Sequence, residues 1–238
     1  MLLAFFLLAS YYDKPLTLFV SAILTFIWYD FFSGVLHIVL DNPDFIKMPI
    51  LGDPCLVIII VFVFIFIFLL ISCTVVYQEF QWHHHIPLDI ASKSFWEVCG
   101  DLNVIITFLV CVYIAPVPHF GFHFQNPVAI CLVSFKCLMA YFGQLCHCMS
   151  HTPAVRRPAS ISWLQNAGFM ISPKEHAVHH RTYDSNFCIG SGVCNPLITW
   201  MLANLTSNKW AWLALFIITL VCDVPVFNHI LTVYCGFE

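Results

Sequence analysis

Nine side chains of this 238-residue chain carry metal-binding chemistry at spacings a helix can use. His147 and His151 stand four residues apart, as do His37 and Asp41, and His176, His179 and His180 fall within one turn of each other. At about 100° per residue, each set shares one face of a helix and can aim its donors in one direction. His83 and His84 form a further pair, adjoined by His85. Imidazole suits zinc, copper, iron and nickel alike, so residue type by itself does not choose the metal. Ligand number is more informative. One zinc takes about four ligands, and eight imidazoles with one carboxylate exceed that, so two metal ions are the economical reading. A bis-histidine haem would draw single histidines from facing helices rather than an HxxHH trio. The HExxH signature of zinc hydrolases is absent.

His119, His123 and His229 lack spaced partners and read as ordinary polar side chains, while His85 stays open at this point beside His83 and His84. Cys146 and Cys148 flank His147, but no CxxC pair occurs and most of the twelve cysteines sit in apolar runs, where they read as small buried hydrophobes. Glu97 and Asp101, one turn apart, are candidates either to orient ligating imidazoles from behind or simply to favour a helix N-terminus.

The elements that must position these donors are apolar. Hydrophobic residues make up 61% of the chain and charged ones 9%, against about 25% charged in an average soluble domain. Mean hydropathy is +0.87. The net charge of -4 points to no nucleic-acid partner. A spanning helix needs about 20 apolar residues, and runs at Leu16 to Val39, Cys55 to Tyr77, Leu102 to Pro118 and Pro127 to Met149 qualify or nearly so. A fifth, Trp210 to Tyr234, is interrupted by Asp223 and Pro225. Residues 1–12 are apolar without a basic leader, so they read as an interfacial segment rather than a cleaved signal. Residues 150–195 are the most polar stretch, broken by Pro158 and Pro173, and short surface helices are expected there. Seven of the nine basic residues fall in or beside the histidine-bearing loops, which places that face in the cytosol by the positive-inside tendency. The expectation is one all-α, multi-pass membrane domain over residues 1–238, with a metal site at the membrane–cytosol boundary.

Ordered motifs then carry a resemblance. Gly34-Val-Leu-His37 with Asp41, Phe80-Gln-Trp-His83-His84 with Pro87, Gln144-Leu-Cys-His147 with His151, Leu164-Gln165, and Pro173-Lys-Glu-His176-Ala-Val-His179-His180 with Phe187-Cys188-Ile189 and Gly192 resemble the lipid desaturase family. The resemblance covers residues 28–197. It implies a helical membrane enzyme with a di-iron centre held by His37, Asp41, His83, His84, His147, His151, His176, His179 and His180. It further implies O2 as co-substrate and an electron donor such as cytochrome b5 or ferredoxin. The product it implies is a double bond in an acyl or alkyl chain of a glycerophospholipid. Hydroxylation by the same centre, or a non-redox metal-binding or transport role, are the alternatives. The endoplasmic reticulum is the default compartment and a plastid the second.

Residues 55–77 read as an apolar insertion relative to the family, either re-entrant or encoded by a retained intron. Were they to cross the bilayer once, His37 and His83 would lie on opposite faces and could not share a centre.

Overall fold

In the computed structural model, which describes residues 13–42, 82–100, 103, 106 and 127–237, prolines open the principal elements. A proline at the first helical position loses no hydrogen bond, because that N–H has no partner within the helix. Pro15 starts helix α1 (Pro15–Leu40), Pro87 starts α2 (Pro87–Ser92) and Pro127 starts α4 (Pro127–His151), with the four-residue α3 (Phe95–Val98) between the last two. A 3-10 turn (Ala154–Arg156) leads to α5 (Ala159–Asn166), α6 (Pro173–Thr182), α7 (Asn195–Asn204) and α8 (Lys209–His229), which runs on into a π turn (Ile230–Tyr234). The described residues contain helices and no strand, in agreement with the all-α expectation.

Helices α1 and α4 are each long and apolar enough to cross a membrane, and the two halves of the last helix, Lys209–Leu220 and Cys222–Tyr234, become a third span if taken together. These halves meet at 55°. Pro225 accounts for the bend, because it cannot donate to the carbonyl four residues earlier and its ring crowds that carbonyl. The interruption expected at Asp223 and Pro225 is therefore a kink in a continuing helix. The apolar runs at 55–77 and 102–118 lie outside the described residues, apart from Asn103 and Ile106.

Helix α1 packs chiefly on α4, and α8 covers both. The close approach of the first two depends on Gly143, where a Cβ would stand 2.6 Å from Tyr29. One buried cluster joins Val128, Leu132 and Cys137 of α4 to Val224 and Leu231. A second joins Val35 and Val39 of α1 to Phe187, Cys188, Ile198 and Trp212. Inside the spans a single charge pair is buried among the described residues. Lys136 Nζ of α4 lies 2.7 Å from Asp223 Oδ1 and donates to the Leu220 carbonyl at the kink, while Trp28 Nε1 donates to Asp223 Oδ2.

Polar residues 150–195 fold as the expected short helices, packed at the end of the bundle where α1 and α4 terminate. Met170 and Ile171, both essentially inaccessible, pack with Cys146 of α4 and anchor this layer. Burying side chains of this size is worth roughly 1.5–3 kcal/mol each.

Candidate metal centre

Four pieces of chain converge at that end. His37 sits in the last turn of α1, with Asp41 as the residue that caps it; His147 and His151 occupy the last two turns of α4. Residues 82–85 are helical and carry His83 and His84. Helix α6 is specified at both ends. Ser172 and Glu175 close a reciprocal capping box, in which the Ser172 hydroxyl accepts from the Glu175 amide and the Glu175 carboxylate accepts from the Ser172 amide. Tyr183 ends the helix in the left-handed region at φ 57°. The intervening ten residues form one short helix whose inner face carries His176, His179 and His180.

The nine predicted side chains assemble into two adjoining groups. His83, His147, His151, His176 and His180 form one; His37, Asp41, His84 and His179 form the other; within each, one donor atom per residue lies within 4.8 Å of all the rest. Neighbours in sequence divide between them. His83 joins the first group and His84 the second, and His180 and His179 do likewise. The groups touch: the His84 ring lies 4.4 Å from that of His180, and His37 lies 5.8 Å from His147. His37 and His83 are 6.3 Å apart, on one end of the bundle, so residues 42 and 82 flank a connection that starts and finishes on the same face. The condition that residues 55–77 threatened to break is met, while those residues themselves lie outside the described set.

The donor chemistry fits metal ions. His176 Nε2 faces His151 Nε2 at 2.9 Å and His180 Nε2 at 3.0 Å, and His147 Nε2 faces His83 Nε2 at 3.1 Å. A neutral imidazole nitrogen offers either one proton or one lone pair, so His176 Nε2 cannot satisfy both His151 and His180 by hydrogen bonding. Asp41 Oδ1 lies 2.8 Å from His84 Nε2 and Asp41 Oδ2 lies 2.9 Å from His179 Nε2, yet neither oxygen has an aligned hydrogen bond. Buried lone pairs that converge without donors are what a cation satisfies. Burial and the neighbouring imidazoles hold His176 well below the ordinary histidine range and push His180 down to about 2, so both rings present lone pairs at neutral pH. His179 is oriented from behind: its Nδ1 lies 3.1 Å from the Ser185 carbonyl, which as acceptor leaves Nε2 to face Asp41.

The other sequence candidates fall away. His85 is exposed and outside both groups, His229 packs on Tyr234, and His119, His123 and Asp101 lie outside the described residues. Cys146 belongs to the apolar cluster with Met170, and Cys148 donates to the Ile90 carbonyl. Glu97 stands fully in solvent and closes a capping box with Ser94, whose hydroxyl and amide hold its carboxyl below the usual range. Of its two readings, the helix N-terminus is the one the structure supports.

Sequence reasoning missed Asp30. Buried at 1% exposure in α1, its carboxylate accepts from the amides of Ser191, Gly192 and Cys194. Gly192 adopts φ 81°, which the loop needs in order to turn these amides inward. Ser33 accepts from the Ile189 amide, and Asn195 from that of Cys188. The loop so held presses Phe187 against His179, ring centroids 4.9 Å apart, and the Gly190 carbonyl accepts from Ile171 just ahead of α6. An acidic residue within an apolar run was the available signal, since buried charge there is costly and usually functional.

Comparison with known proteins agrees with this geometry. The lipid desaturase domain matches residues 66–223, a span that holds seven of the nine clustered side chains. Fatty acid desaturase 4, chloroplastic, of Arabidopsis thaliana is 29% identical over 173 residues, covering 71% of this chain and 44% of that protein. Fatty acid desaturase 4-like 1, chloroplastic, from the same plant is 25% identical over 175 residues, covering 73% of this chain and 49% of the relative. The chain thus spans less than half the length of each. No solved structure matches. With the matched domain covering about two thirds of its length and most of its clustered donors, the chain belongs to the lipid desaturase family.

Proposed function

We propose that the protein is a membrane-bound, O2-dependent desaturase that holds two iron ions and introduces a double bond into an acyl or alkyl chain of a glycerophospholipid. The observation that carries the proposal is the division of nine donors into two touching groups at the end of two apolar helices, in a chain of a desaturase family. When bound, the metal pair supplies the oxidising power, drawn from O2, that an unactivated C–H bond requires.

The chain's own residues prepare that chemistry. Asp41 sets a negative charge among His37, His84 and His179 and offsets the charge of a cation there. His83, His147, His151, His176 and His180 contribute imidazole nitrogens. Phe187, 4% exposed, closes one wall and keeps water from His37 and His179. The burial of His37, His147 and His179 at the end of the apolar helices supports a centre that a lipid chain reaches from the bilayer. The electron donor is a small redox protein of the cytochrome b5 or ferredoxin kind. The relatives are named chloroplastic, which supports a plastid membrane over the endoplasmic reticulum expected from the sequence; a fluorescent fusion of the full chain decides between them.

The test is metal content together with lipid profile. Purified protein is expected to carry about two irons by its donor count, and cells with His147→Ala in place of the wild type should lose a specific unsaturated lipid species. One haem per chain, or a lipid profile indifferent to His147→Ala, would overturn the proposal. Accumulation of a hydroxylated lipid would assign the same centre to hydroxylation instead.

A further inference from the structure

Beside the metal groups, but on another face of α4, lies a cavity of about 210 Å³. Leu145, Met149 and Phe95 form apolar wall, and Lys93, Thr152 and Arg156 contribute the polar part of its lining. Along α4 the lining residues Leu145, Cys148 and Met149 interleave with His147 and His151, so the cavity lies at the same depth as the imidazoles. At about 100° per residue it opens roughly a quarter-turn or more away from them. It is therefore not part of the metal centre.

The lining combines two cations with an apolar wall. Lys93 is tied to Asp89 at 3.0 Å, both side chains about 30% exposed. The Arg156 guanidinium has no ion pair or hydrogen bond with the described residues, in contrast to Arg157 next to it, which is committed to Gln165 at 2.6 Å and to the Thr152 carbonyl. A guanidinium left available over an apolar wall is suited to a phosphate, which it can grip through two parallel hydrogen bonds. The volume decides how much of a ligand enters. Sites that enclose a drug-sized molecule run to about 300–1,000 Å³, so this cavity takes a head group and leaves the hydrocarbon chains outside. Trp96, 68% exposed and in ring contact with Phe95, is an aromatic side chain of the kind that settles at a membrane–water interface.

We infer that Lys93 and Arg156 form an anion subsite that binds the phosphate of a phosphoglyceride head group at the depth of the metal groups. The inference rests on the lipid desaturase reading and adds to it the residues that select a phosphate-bearing substrate.

The experiment uses the purified full chain in neutral detergent, titrated with brominated phosphatidylglycerol and followed by quenching of tryptophan fluorescence, a readout independent of turnover. Quenching is expected to saturate, and to need on the order of tenfold more lipid once Lys93→Gln and Arg156→Gln are combined, as fits the loss of two charge-assisted contacts. Lys93→Arg with Arg156→Lys should restore binding to within a few-fold. Equal binding by the charge-removed variant, or equal quenching by brominated diacylglycerol, which has no phosphate, would overturn the subsite. Displacement by inorganic phosphate at concentrations that match the lipid would overturn the lipid source and leave a site for free phosphate. Iron is counted on the same samples. Two irons without any anion preference sinks the subsite alone, whereas a clear anion preference in protein that binds no iron supports the subsite and sinks the di-iron reading.

Discussion

Asp30 accepts the backbone N–H of Ser191 at 2.6 Å, across 161 residues of chain. The bond ties the helix that bears His37 to the loop that steadies α6, and so joins two of the four pieces of chain that make the candidate metal centre. Asp30→Ala strands the buried amides of Ser191 and Cys194 and the partly buried one of Gly192, and a buried amide costs about 1–3 kcal/mol when left unsatisfied. The variant should unfold well below the wild type and purify with reduced iron. Asp30→Asn, which keeps an acceptor oxygen, should lie between the two. Thermal unfolding in detergent with metal analysis on the same samples checks the order.

Asp41 is the one carboxylate in the two groups. Asp41→Asn removes the charge from the His37, His84 and His179 group and leaves the five-imidazole group intact. Iron should fall from about two per chain toward about one, the number expected when one of two sites is lost. Equal loss from both sites, measured by plasma mass spectrometry, would show that the groups load only together.

Acid should destabilise the metal-free protein. In the folded state burial keeps His176 well below its ordinary value of 6.5 and His180 down at about 2, while in the unfolded chain both titrate normally. Between those limits the unfolded state binds more protons, so stability is complete above about pH 6.5 and is lost progressively as pH falls below it. The unfolding temperature of apoprotein between pH 8 and about pH 5 reads this directly. A flat profile would mean that the imidazoles are not held neutral by the fold.

The buried Lys136–Asp223 pair predicts a non-additive result. Lys136→Met leaves a carboxylate unpaired within the span and should cost about 3–5 kcal/mol, whereas replacing both partners by apolar residues is often neutral or stabilising. Lys136→Met with Asp223→Leu is therefore expected to be more stable than either single variant. Denaturation of the four proteins in one detergent completes the cycle.

Glu97→Gln tests which of the two readings of this residue holds. Its carboxylate accepts from the Ser94 amide in the capping box and lies outside both histidine groups, so metal content should equal that of the wild type. A drop in bound iron would restore Glu97 to a role behind the imidazoles.

Much of this protein is legible along the chain because helical spacing and apolar length are local properties. The i, i+4 pairs at His37 and Asp41 and at His147 and His151, and the trio in α6, need only a helix to share a face. The runs that became α1 and α4 need only their length. Tertiary structure decided what sequence spacing cannot encode. It divided consecutive histidines, His83 from His84 and His179 from His180, between two groups, because adjacent residues on a helix point about 100° apart. It placed His37 beside His83 despite the apolar run between them, since which end of a bundle a connection returns to is set by packing. It recruited Asp30, Ser185 and Phe187, whose roles are contacts with residues remote in sequence or with main chain, and it moved Glu97 out to solvent. The residue types in the sequence determined that the chain carries a donor set suited to metal ions. The fold determined which donors face one another and how they are held.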